Sequence, residues 1–125
     1  MTPLVFAALA VAGGMGAAAR FAVDGAVGSR LRTIFPLATF IINVSGSLAL
    51  GLLTSLAAGH LFSQEWALIL GAGFLGGYTT FSTASYETVR LMGEDRYFAS
   101  LANALGSLIS TVAAAAFGFW LGSLF

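Results

Sequence analysis

Apolar residues run along this chain in four long stretches, at about 3–27, 34–59, 65–91 and 97–124. Polar connections near 28–33, 60–64 and 92–96 separate them, and all three are short. A membrane-crossing helix needs roughly 20 apolar residues, so each stretch is long enough. Short connections make successive helices antiparallel neighbours. The pattern predicts an all-α membrane protein, one domain of four transmembrane helices over residues 1–125.

The third stretch loses its apolar character at its centre, in Gly76-Gly77-Tyr78-Thr79-Thr80-Phe81-Ser82-Thr83. Thr79 lies 14 residues after Glu65 and 11 before Arg90, which puts the interruption near the bilayer midplane. Adjacent glycines weaken a helix by roughly 1 kcal/mol each relative to alanine and free the backbone for unusual angles. Within hydrocarbon an unwound backbone survives only where protein buries it or it lines a water-filled cavity. Broken helices gather carbonyls and half-helix ends around ions at this depth. The competing reading is that small residues simply let neighbouring helices pack closely. Six glycine or hydroxyl positions at one depth favour a site over packing alone.

The other stretches add polar groups at matching depth. Stretch two enters through Pro36, tolerable in a first turn, and carries Asn43, Ser45 and Ser47 with Gly46 and Gly51. Asn43 lies about 14 Å along it, close to the centre. Its amide either bonds a neighbouring helix or offers donors to a pathway. Stretch four sets Asn103, Ser107, Ser110 and Thr111 on one helix face. That row either bonds to neighbours or forms a hydroxyl and amide track. Gly118 and Gly122 form a candidate packing pair, and Gly13, Gly14 and Gly16 give the first helix a small face.

Charge sharpens the picture. The chain is 58% hydrophobic and 8% charged, with a mean hydropathy of +0.94, whereas soluble domains carry about 25% charged residues. It has no Cys, so disulfides and thiolate metal sites are excluded. The net charge is zero and no basic run is present, which argues against nucleic acid. The single His, His60, sits at a predicted helix end and reads as interfacial, so neither a metal hydrolase nor a His-based catalyst is supported; the chain is not expected to be an enzyme. A cleaved signal peptide ending near 17–19 is disfavoured by the missing basic start and the apolar continuation past Arg20. Arg20 lies about 10 Å from the end of its stretch. It either snorkels to the interface or faces an aqueous vestibule where it concentrates anions. Glu87, about two turns beyond the interruption, is a candidate vestibule or accessory group on the same grounds. Trp66, Tyr97 and Trp120 fall near stretch ends, as an aromatic belt requires.

Three segments together carry a family resemblance: Gly13-Gly14-Met15-Gly16-Ala17-Ala18-Ala19-Arg20, Asn43-Val44-Ser45-Gly46-Ser47, and the third-stretch motif with Glu87. The chain resembles the Fluc (CrcB) fluoride channels over essentially its whole length. The third motif is highly specific; the glycine-rich first one is weak alone. The resemblance implies a multi-pass protein of the cell inner membrane or plasma membrane that exports fluoride passively. It implies an antiparallel two-fold dimer with two pores shared between subunits. It also implies a central sodium ion held by the carbonyls of Gly76 and Thr79, so that bulky replacements at Gly76 are expected to be severe. By the same resemblance Asn43 and Phe81 belong to the fluoride pathway, with Ser82 and Thr83 beside them. Ser107, Ser110 and Thr111 match less securely.

The sequence departs from that family at Ala84, where a second Phe usually follows the first by three residues. This departure keeps open a non-conducting subunit that supports a working partner. A small proton-coupled drug exporter is a further class of similar size, but its first-span carboxylate has only Asp24, near the stretch end, as counterpart. The arginines bear on partnership. Arg30, Arg32 and Arg96 lie in or beside the 28–33 and 92–96 connections, with Arg20 and Arg90 toward the same side. The positive-inside rule then favours one orientation with both ends outside. A dual-topology homodimer wants almost no such bias. Homodimer and heterodimer with an oppositely oriented paralogue both remain, with antiparallel packing common to the two.

Overall fold

The computed structural model describes residues 1–31, 33 and 35–125. Arg32, and the start of the second stretch at 34, lie outside the described residues. Among the described residues the chain is all-helical, and three helices are long and apolar enough to cross a membrane: α1 (Pro3–Arg30), α2 (Leu37–Ala58) and α6 (Tyr97–Gly122). Between α2 and α6 lie α3 (Gln64–Leu68), a π-helical segment (Ile69–Leu75), α4 (Gly76–Tyr78) and α5 (Ser82–Gly93).

Local chemistry sets the ends. The Thr2 hydroxyl accepts from Val5 N at 3.2 Å, with Pro3 in the first turn, a side-chain cap that satisfies an orphan donor. Ser63 does the same for α3, accepting from Trp66 N at 3.2 Å. Pro36 sits just outside α2 as its N-cap rather than in the first turn. The helix α1 runs on to Arg30, three residues past the expected end, because nothing in Gly28-Ser29-Arg30 forbids helical angles. After α2, Leu61 N bonds Leu56 O at 3.0 Å and His60 N bonds Ala57 O at 3.1 Å. After α5, Arg96 N bonds Leu91 O at 2.9 Å and Asp95 N bonds Met92 O at 3.1 Å. Both are Schellman closures. Their left-handed residues are His60 (φ 65°) and Asp95 (φ 59°), where glycine is usual.

Packing runs through glycine, main chain against main chain. A methyl group on Gly51 would overlap the Ala115 carbonyl, and one on Gly118 the Leu48 carbonyl; Gly122 rests against Leu52 and Ser55. These contacts make α2 and α6 the most extensively packed pair. A methyl on Gly16 would strike the Phe74 carbonyl and one on Gly77 the Gly13 carbonyl, which locks α1 to the outer half of the broken span. Gly14 touches nothing and faces away. Inside the π segment, a methyl on Gly73 would come within 2.9 Å of Leu9 O of α1, whereas one on Gly71 would come within 3.3 Å of the Leu50 side chain of α2. The two halves of this span therefore have different hosts: α1 holds residues 69–78, while α6 is the main neighbour of α5.

The interruption is displaced from the glycines. Gly76 is helical (φ −62°, ψ −38°), and no glycine among the described residues has a positive φ. The chain leaves the helix at Thr79, which is extended (φ −80°, ψ 160°), and resumes at Ser82. The expectation that the glycines supply unusual angles is thus corrected. Gly77 is small because the Gly13 backbone occupies the place of its side chain.

Candidate functional site

At the break, Asn43 of α2 faces Thr80. Its Nδ2 donates to the Thr80 carbonyl at 2.7 Å, and its Oδ1 accepts from Thr80 N at 2.8 Å. This two-bond pairing substitutes a side-chain amide for the missing helical partners. Gly46 makes room for it, since a methyl there would overlap the Thr79 side chain. The Thr80 hydroxyl in turn accepts from Thr83 N at 3.2 Å and donates to Thr83 Oγ1 at 3.1 Å, so Thr80 caps α5.

These bonds change the status of two carbonyls. In a continuous α-helix Thr80 N would bond Gly76 O, and Thr83 N would bond Thr79 O. Here those donors turn to Asn43 Oδ1 and Thr80 Oγ1 instead. Gly76 and Thr79 are the residues expected to present carbonyls to a cation, and both lie on the wall of one large groove.

That groove, about 960 Å³, is bounded by α2, the π segment, the break, α5 and α6. Asn43, Phe81, Asn103, Ser107 and Thr111 line it together, and so does Ala84. Ser82, Thr83 and Ser110 are not on its wall. Phe81 stands out from the chain, 88% exposed. The Thr111 hydroxyl donates to Ser107 O of its own helix at 2.7 Å, so it offers the groove an oxygen rather than a proton.

Sequence reasoning missed Ser85, Thr88 and Ser100. Ser85 and Thr88 also line the groove, and their three-residue spacing on α5 was the available signal. Ser100 Oγ donates to the Thr88 carbonyl at 2.7 Å, and Asn103 Nδ2 donates to the Thr88 hydroxyl at 2.8 Å.

Arg20 and Glu87 lie off this groove. With α1 reaching Arg30, Arg20 is about 15 Å from the helix end rather than 10 Å. Its Nε and the Glu87 Oε1 are buried with no hydrogen-bond partner among the described residues. An unpartnered buried guanidinium nitrogen is costly, which weighs against a side chain that merely reaches the interface. Among the described residues no group of three or more His, Cys, Asp or Glu side chains could hold a metal, so any cation at the break would rely on other oxygens.

Apolar helices of membrane-crossing length, packed through glycine and exposing many large apolar side chains, define a multi-pass helical membrane protein. Residues 7–119 match the family described as CrcB-like protein, Camphor Resistance (CrcB). A Leifsonia xyli protein named Fluoride-specific ion channel FluC 1 is 55% identical over 124 residues, spanning 99% of this chain and 90% of the relative. A Cutibacterium acnes protein named Fluoride-specific ion channel FluC 2 is 50% identical over 90% of this chain and 93% of its own length. A Mycobacterium tuberculosis protein of that name is 41% identical over 99% of this chain and 95% of its own length. The chain belongs to the CrcB family, a family of ion channels and not of enzymes.

Proposed function

We propose that this protein is a fluoride-selective channel that lets fluoride leave the cytoplasm passively, across the cell inner membrane or plasma membrane. The observation that carries the reading is the half-open groove at the break, lined by Asn43, Phe81 and Ser107, in a chain of this family. Counted with the broken span, the protein crosses the membrane four times as one domain. Two copies pack antiparallel about an axis in the membrane plane, each covering the other's groove and sharing two pores. Lipid covers the remaining apolar surface.

Fluoride is small and strongly hydrated, so a pathway must replace its water with close donors. Asn43 pairs with Thr80 and has a second Nδ2 hydrogen left. The edge of the Phe81 ring carries positive potential that suits an anion. Ser82, Thr83, Ser107, Ser110 and Thr111 complete the proposed pathway, with Arg20 and Glu87 at its vestibule. Ser107 is the strongest of the hydroxyls, because it lies on the groove wall and, unlike that of Thr111, its proton is not given to the helix backbone.

A structural sodium ion fits the break. The Gly76 and Thr79 carbonyls, relieved of their helical donors, would hold it in both subunits. When bound, a cation there ties the two breaks together without a buried carboxylate.

Ala84 supports a second reading of partnership. It lies on the groove wall where a second ring would stand, so an oppositely oriented paralogue with Phe at that position makes a coherent heterodimer. Fluoride efflux from liposomes holding this protein alone tests the proposal. Efflux of fluoride well above chloride, without a proton gradient, is expected. Equal chloride efflux, or strict proton coupling, would overturn it. No efflux alone, with efflux restored by a Phe-bearing paralogue, selects the heterodimer.

A further inference from the structure

Three non-helical residues join α5 to α4, and a three-residue closure at 94–96 joins it to α6. Neither link continues the helix. Two asparagines from its neighbours do bind it, each on a threonine. Asn43 of α2 holds Thr80 through two bonds at 2.7 and 2.8 Å. Asn103 of α6, only 2% exposed, holds the Thr88 hydroxyl at 2.8 Å, while Ser100 beside it takes the Thr88 carbonyl at 2.7 Å. The Thr88 hydroxyl spends its own proton on Ala84 O at 2.8 Å, which orients its lone pairs for Asn103.

The two attachment points are eight residues apart, one just before α5 begins and the other in its middle. Both hosts belong to one platform, because Gly51, Gly118 and Gly122 seat α2 and α6 backbone to backbone. A helix pinned at one point pivots; a helix pinned at two keeps its direction. Phe81 lies next to the first pin and projects into the open, with no packing of its own to hold it.

We infer that Asn103 is a positioning residue: through Thr88 it makes the second of two pins that fix the direction of α5 and so the place of Phe81 in the groove. One hydrogen of its amide goes to Thr88, and although Asn103 also lies on the groove wall, the role inferred here is exerted through α5. The functional half of this inference rests on the channel reading above; the mechanical half does not.

The test pairs amide hydrogen exchange of residues 79–90 with single-channel recording, for Thr88→Val, Thr88→Ser, Asn103→Leu and the Thr88→Val/Asn103→Leu double variant. Each disruptive single variant is expected to speed exchange about three- to fifteenfold, the span that membrane side-chain hydrogen bonds support. Fluoride conductance should fall with the dimer still assembled. Thr88→Ser, which keeps the hydroxyl, should restore both readouts. The double variant should lose no more than the worse single one, because both singles remove the same Asn103–Thr88 bond. Unchanged exchange in both single variants, or additive losses in the double, overturns the inference. Faster exchange with wild-type conductance overturns its functional half, whereas a wild-type protein that shows the exchange pattern but passes no fluoride, alone or with a Phe-bearing paralogue, overturns the channel reading instead.

Discussion

Gly77 lies against Gly13 so closely that its α-carbon has no room for a methyl group before the Gly13 carbonyl. A methyl on its neighbour Gly76 would meet nothing nearer than Gly71 O at 3.8 Å. Equal in sequence, the two glycines differ in kind. One joins α1 to the broken span, and the other opens on the groove.

Gly77→Ala should therefore damage the fold itself. An overpacked backbone contact of this sort costs about 1–3 kcal/mol, to be read as a lower unfolding temperature in detergent. Gly76→Ala should leave a single chain unharmed and weaken only whatever covers the groove. Chemical cross-linking of the two variants separates these outcomes.

Asn43→Ala strands both the N–H and the carbonyl of Thr80. Leaving a buried group unpaired costs about 1–3 kcal/mol, so the variant should be less stable and lose most fluoride efflux. Asn43→Asp keeps the acceptor for Thr80 N but sets a carboxylate oxygen against the Thr80 carbonyl. It should be no better. Thermal unfolding and liposome efflux on the same preparations check both expectations.

The two groove hydroxyls on α6 should respond unequally. Thr111 already donates to Ser107 O, so Thr111→Val removes no free donor and should change fluoride efflux little. Ser107→Ala should reduce efflux more than Thr111→Val does. The reverse order would place the pathway elsewhere on α6.

Sodium removal should loosen the assembly. A ligand bound to the folded dimer alone stabilises it by about 2.7 kcal/mol at a hundredfold excess over its Kd. Replacing sodium with a large organic cation should lower the unfolding temperature and raise the monomer fraction. Bulk at Gly76 should erase that difference.

His60 and Asp95 hold left-handed angles that cost a side chain about 1–2 kcal/mol. His60→Gly and Asp95→Gly should each recover part of that cost. Raised unfolding temperatures with unaltered efflux are expected, since both residues lie in end loops.

Much of this was legible in the sequence because apolar runs of membrane length leave little choice of element. The interruption near Thr79 was legible too, since hydroxyls and glycines do not gather at mid-span by default. What stayed hidden was the use of each glycine. Gly77 needs space and Gly76 leaves it, yet both read as backbone freedom in one dimension. The pairing of Asn103 with Thr88 was hidden for a related reason: a row of polar residues on α6 shows a face without naming its neighbour. Asn43 fell between, its depth readable and its partner Thr80 not.

The π-helical segment has a consequence for how this span can vary. Its wider turns use an extra residue to climb the same height, so residues 69–75 hold a residue of slack above the break. A one-residue deletion there would return the segment to ordinary α winding. It would leave the residues on either side on their present bearings, with Trp66 facing as it does now and Asn43 and Thr80 still joined, whereas the same deletion in a regular α-helix swings one side by about 100°. The span thus behaves as two pieces with separate tolerances: its N-terminal part can lose one residue and keep its faces, and the part where the threonines begin can lose none.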